Sequence, residues 1–218
     1  MKRLLLLLSL TLTIATTVVS QEFYGGLVLG GTTSQIGGDA RGGYHKAGIV
    51  GGAFAGLNLS SDFDIQMELK YIQKGSFSGD LENDLYAPFL IKLDYIDMPV
   101  VVSYNLNKIN INDVNLRWLK LEFGLSLDVL VKARQEIQGQ YVPASDPWRR
   151  LVVNTVLGVR FEVSENIEVG LRTINAMTSI CTPAGFQYSN GVVQYVRRLL
   201  PNYGMFNDVL QLSMFWKI

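Results

Sequence analysis

Between Leu119 and Lys132 the chain alternates without a break. Leu119, Leu121, Phe123, Leu125, Leu127, Val129 and Val131 fill the odd positions, and Lys120, Glu122, Gly124, Ser126, Asp128, Leu130 and Lys132 the even ones. Successive strand side chains point to opposite faces, so one face is apolar and the other mostly polar. Helical spacing scatters the same apolar residues all round the axis. A half-buried strand in a soluble sheet uses about 5–6 residues, whereas a tilted strand crossing a bilayer needs about 9–11. The thirteen alternating residues from Leu119 to Val131 suit the longer task.

Seven further segments have strand character: Glu22–Gly31, Lys46–Leu59, Phe63–Gly75, Phe89–Tyr104, Arg150–Val163, Ile167–Thr178 and Met205–Ile218. The first two are rich in glycine, which weakens an ordinary strand but makes room inside a narrow barrel. Pro99 has no N–H for a ladder, so a bulge or a locally unpaired site is expected there. Ser60-Ser61-Asp62 and Ser164-Glu165-Asn166 make tight polar turns. Long links follow the first, third, fifth and seventh segments, at 32–45, 76–88, 133–149 and 179–204. Short and long connections at alternate ends are the plan of an outer-membrane barrel. The link 105–117 departs from it, being long on the short side.

The predicted architecture is all-β: an eight-stranded antiparallel up-and-down transmembrane β-barrel, with both termini in the periplasm. Phe23, Phe63, Tyr104, Phe161 and Trp216 then fall at the periplasmic strand ends on the lipid-facing phase, as an aromatic girdle at one bilayer interface. Trp118 shares that end but takes the inward phase. The competing architecture is a secreted, soluble β-barrel holding a small apolar ligand, whose core would bury the same apolar faces.

Residues 1–20 read as a secretory signal, with Lys2 and Arg3, the apolar run Leu4–Leu12, and Val18-Val19-Ser20 before Gln21. The barrel domain then spans 21–218. Removing Lys2 and Arg3 from 19 basic residues leaves 17 against 19 acidic, a net charge of −2. That balance does not point to nucleic acid as a partner. With no later apolar run near membrane-helix length, spanning requires a closed barrel, because open strand edges are not stable in lipid. Cys181 is the sole cysteine, which excludes an internal disulfide.

Glu68, Lys70, Asp97, Lys120, Glu122, Asp128, Arg160, Glu162, Glu168 and Arg172 take the inward phase. Eight strands leave an interior that side chains just fill, so these charges are expected to pair as a brace across the barrel. A diffusion pore is not expected at this strand count. Catalysis finds little support: His45, beside Tyr44 and Lys46, is the only histidine, and neither it nor Cys181 has metal-ligand spacing. The glycines from Gly25 to Gly31 lack the Gly-Lys-Ser/Thr of a phosphate loop. No cofactor is implied. Candidate recognition residues lie on the long loops: Tyr141, Trp148 and Arg149, and Arg197 and Arg198 on an amphipathic helical turn within Val192–Leu200. Exposed aromatics and arginines are the types enriched in contact hot spots; their simpler role is to cap the barrel mouth or meet lipid headgroup charge.

Four short stretches carry a family resemblance. They are Gln66-Met67-Glu68-Leu69-Lys70-Tyr71 leading to Gln73-Lys74-Gly75, Tyr95-Ile96-Asp97-Met98-Pro99, Val169-Gly170-Leu171-Arg172, and Asn207-Asp208-Val209-Leu210-Gln211-Leu212-Ser213. In their order and spacing the chain resembles the PorT-like outer-membrane β-barrel proteins of Gram-negative bacteria, small barrels of the porin family. The resemblance implies an integral outer-membrane protein contacting lipid, with other envelope or secretion-apparatus proteins, such as the type IX secretion and gliding machinery, as partners. The chain departs from the pattern at its end, Trp216-Lys217-Ile218, where such barrels finish on Phe.

Overall fold

A computed structural model describes residues 22–39, 43–79, 88–111, 114–137, 140–142, 148–181, 196–197 and 203–218. The signal segment lies outside them. Eight long strands alternate in direction: β1 (Phe23–Gly37), β2 (Lys46–Asn58), β3 (Phe63–Ser78), β4 (Phe89–Asn105), β5 (Leu119–Ile137), β6 (Leu151–Ser164), β7 (Ile167–Ala176) and β8 (Phe206–Lys217). Each pairs antiparallel with its neighbours in sequence, and β1 pairs with β8 from Gly26↔Lys217 to Gly37↔Phe206, which closes the barrel. Closure removes both sheet edges, so the strand backbone needs no partner from outside.

The apolar faces look outward. Leu121, Phe123, Leu125 and Leu127 are exposed, whereas Glu122 and Asp128 on the alternate phase are at most 3% exposed. Several strands run further than the alternation alone indicates, β1 to Gly37 and β5 to Ile137. The long turn between β4 and β5 contains its own small hairpin, Asn110–Ile111 with Val114–Asn115. In the β2–β3 turn, Asp62 accepts from Lys108, and this contact holds the Asp62 carboxyl below its ordinary range and the Lys108 ammonium above its own.

Of the two alternatives expected at Pro99, a bulge or a locally unpaired site, the structure has the second. On the β3 side the ladder lapses between Met67↔Val100 and Lys70↔Asp97 with the register unchanged, at the level of Pro99, which cannot donate. The bulge lies elsewhere, between β4 and β5, where Asp94 pairs with Lys132 but Tyr95 with Leu130. Val131 is the extra residue, and an extra residue reverses the phase of everything beyond it. Lys132 is therefore exposed rather than inward, and Ala133 and Gln135 take the lumen side.

Gly75 marks a third special point. Its φ is +142°, and a Cβ there would lie 2.0 Å from the Ile91 carbonyl oxygen on β4. Gly75→Ala is expected to destabilise the barrel by about 1–3 kcal/mol through backbone strain. The measurement is urea unfolding in lipid vesicles; an unchanged midpoint would show that β3 accommodates the methyl group.

Candidate functional site

The lumen is filled by side chains in layers. At the turn end, Tyr24, Phe54 and Phe215 pack edge to face, with ring centroids 6.2 and 5.7 Å apart. The Arg160 and Arg172 guanidiniums lie 3.9 and 4.9 Å from the Phe215 ring centroid, so this apolar layer also serves the charges above it. Room for them comes from glycine: a Cβ on Gly158 would lie 2.7 Å from Cγ of Arg172, and one on Gly170 would lie 2.9 Å from the Phe215 ring.

The ionic layer draws on six strands. Arg172 donates through Nε and Nη2 to both oxygens of Glu122, at 2.7 and 2.8 Å, and through Nη1 to Glu68 at 3.0 Å. Arg160 also contacts Glu122, and its Nη1 reaches Glu168 at 3.0 Å. Lys70 lies 3.0 Å from Glu68 and 3.5 Å from Asp97, while Lys74 donates to Asp128 at 2.6 Å. Nearer the rim, Lys120 and Lys217 both reach Glu168, at 2.8 and 2.7 Å. Removing these ions from water is expensive, and bidentate pairing and shared carboxylates offset that cost. Residues from the four stretches that carry the resemblance meet here: Glu68, Lys70, Lys74, Asp97, Arg172 and Gln211, whose Oε1 accepts from Lys70 at 3.3 Å.

Glu162 does not join them. It pairs with Glu168 in the same register as the rest of β6 and β7, but on the last rung before the ladder shifts at Ile167, where the strand is leaving the barrel, and it is exposed at the rim. Trp118 lies in the turn before β5, where strand phase does not apply. Its exposed ring stacks on Phe161, 5.8 Å between centroids, which places it with the girdle. Phe63 and Tyr104 are similarly paired at 5.0 Å, and Phe23 and Trp216 are exposed at the same end.

An apolar layer closes the loop end, and the polar–apolar alternation gave no sign of it. Ile36, Val50, Ile72, Ile91, Leu93, Tyr95, Val152, Val156, Ile174 and Val209 face inward and are buried. The available signal was Leu151-Val152-Val153 at the head of β6, which is apolar on both phases. Above them Trp148 bridges to Cys181 and is 5% exposed, so it caps the mouth instead of presenting a recognition surface. Of the loop candidates, Tyr141 and Arg149 are exposed. Val196–Arg197 forms a short antiparallel pair with Tyr203–Gly204 rather than a helical turn, and Arg198 lies outside the described residues. His45 is exposed just before β2.

Two outcomes are expected from this geometry. Arg172→Leu leaves Glu122 and Glu68 short of a buried partner and should cost about 3–5 kcal/mol. Glu122→Gln combined with Arg172→Leu should cost less than the sum of the single changes, as read by a double-mutant cycle of urea unfolding in vesicles; strict additivity would mean that the ions do not interact. Burial pushes the Cys181 thiol up to about 11 against the opposing pull of Arg149. Cys181 is fully buried, so maleimide should label it at pH 7.5 only after unfolding; rapid labelling of the folded barrel would contradict the capped mouth.

The family model for the outer membrane protein beta-barrel domain matches residues 19–181. Among solved structures, the chain is similar to Ail, the attachment invasion locus protein of Yersinia pestis, at 11% identity and a TM-score of 0.50, covering 90% of this chain and 99% of that one. It is also similar to Neisserial surface protein A, at 10% identity and a TM-score of 0.48, covering 91% and 99%. No curated protein matches the chain. The Ail likeness bears on the fold alone, and the family match decides against the soluble alternative. With its lipid-facing apolar wall and closed strand order, this chain belongs to the outer membrane protein beta-barrel domain family.

Proposed function

We propose that this protein is a non-catalytic structural or accessory binding component of the outer membrane, with its turns and termini in the periplasm and its loops outside. The observation that carries this reading is the filled lumen. Arg160, Arg172, Lys70, Glu68 and Glu122 lie across the barrel at no more than 3% exposure, with an apolar cap above them. A solute passing through would have to break several buried ion pairs at once, at a cost of several kcal/mol each. What remains for function is the outer wall and the two rims. The four family stretches supply much of the ionic brace, which supports kinship with PorT-like barrels and, through them, service beside envelope or secretion-apparatus proteins.

In planar bilayers the purified barrel should give no stepwise conductance. It should also remain with carbonate-washed outer membranes and shift its gel mobility on boiling in detergent. A stable open channel would overturn the filled-lumen reading, and recovery in the soluble periplasmic fraction would overturn the membrane placement. A photo-crosslinking residue at Tyr141, exposed on the loop side, should capture a neighbouring envelope protein in intact cells; a barrel that captures none there or at Arg149 is structural only.

A further inference from the structure

The outer wall carries a cluster of cations that the lumen does not neutralise. Beyond the bulge at Val131, the phase of β5 reverses and brings Lys132 and Arg134 to the outside. Arg134 pairs in register with Lys92 of β4, whose neighbours Ile91 and Leu93 face the lumen, so Lys92 also points outward. At the head of β6, Arg149 and Arg150 are exposed, and the Arg150 carbonyl accepts from the Leu130 N–H. Five cations thus occupy one sector of three adjacent strands.

Their acidic company is thin. Asp94 pairs in register with Lys132, but among the described residues neither Lys92 nor Lys132 lies within ion-pair distance of a carboxylate. Among the described residues Arg134 reaches only Glu136, at 3.9 Å, with both side chains partly exposed. Every cation of the central ionic layer, by contrast, contacts a carboxylate.

Depth along the wall decides what faces this sector. Leu121 pairs with Tyr104 of the aromatic girdle, and Lys132 lies eleven residues further along β5. At about 3.3 Å per residue and a tilt near 40°, that is roughly 28 Å along the barrel axis. The apolar band of such barrels is about 25 Å tall, so the cations stand just past its far edge, at the level of the headgroups. Simple snorkelling of basic residues would ring the whole barrel. Here the matching outward positions of β1, β2, β3 and β7 are uncharged: Thr33 and Gln35, Ala47, Gln73, and Thr173 and Asn175.

We infer that Lys92, Lys132 and Arg134, flanked by Arg149 and Arg150, form a lateral site for the phosphate groups of a phosphorylated outer-leaflet glycolipid. The inference rests on the outer-membrane placement with loops outside. The bulge is the device that creates it, since an unbroken register would turn Lys132 and Arg134 into the apolar cap.

The test titrates the detergent-solubilised full-length protein with diphosphorylated lipid A and with its dephosphorylated form, with bound lipid read by native mass spectrometry. The phosphorylated form should bind more tightly. Replacing Lys92, Lys132 and Arg134 together by Gln should weaken it on the order of 100-fold, about fivefold per cation. Lys108→Gln, at the turn end, should leave binding unchanged, and inorganic phosphate should not displace the lipid. Equal binding of both lipid forms, wild-type binding by the triple variant, an equal loss in Lys108→Gln, or displacement by inorganic phosphate would each overturn the site. If the triple variant loses the boiling-dependent mobility shift of a folded barrel, Lys132→Gln and Arg134→Gln are read singly, each at about fivefold. Failure of the membrane placement would show separately, as wild-type protein missing from washed outer membranes.

Discussion

Lipid offers no hydrogen bonds, and that constraint shapes the whole molecule. Strand backbone placed in a bilayer must find its partners within the protein, which only a closed ladder provides. Closure here is made by β1 against β8. The same solvent drives the side chains apart: apolar groups go to the wall, and ionised groups go to a lumen too narrow for much water. The interior charges then have to satisfy one another.

That requirement explains the composition of the lumen. Glu68 and Glu122 each contact more than one cation, and Arg160 and Arg172 rest on Phe215 while they donate to carboxylates. Gly158 and Gly170 matter because two large guanidiniums and an aromatic ring occupy space that any side chain there would take. β1 and β2 contribute glycines and the small apolar cluster of Val28, Phe54 and Phe215, completed from β8. The loop end is closed differently, by aliphatic packing and the Trp148–Cys181 bridge. The barrel is thus sealed by an ionic layer and by an apolar cap.

The bulge between β4 and β5 shows how one residue changes the outside of such a wall. It leaves the ladder closed on either side, yet it moves two cations from lumen to lipid interface. The lumen gains Ala133 and Gln135 in exchange, and Ala133 packs against the apolar cap. The swap keeps unpaired charge out of a dry layer and places it where phosphate and water can meet it.

The amino-acid order alone determined the eight strands, their alternate short and long connections, the lipid-facing phase and most of the inward charges. Each of these follows from the two-residue period of a strand and from turn chemistry, which are local. Tertiary structure decided what depends on neighbouring strands. Glu162 left the charge layer because β6 runs past the paired lumen residues to the exposed rim; Trp118 joined the girdle because its turn lies outside any strand phase. Trp148 became a cap through its bridge to Cys181, and Lys132 turned outward because a single unpaired residue in the ladder reverses the phase of all that follows it. Phase within a strand is written in the sequence; register between strands is a property of the closed sheet.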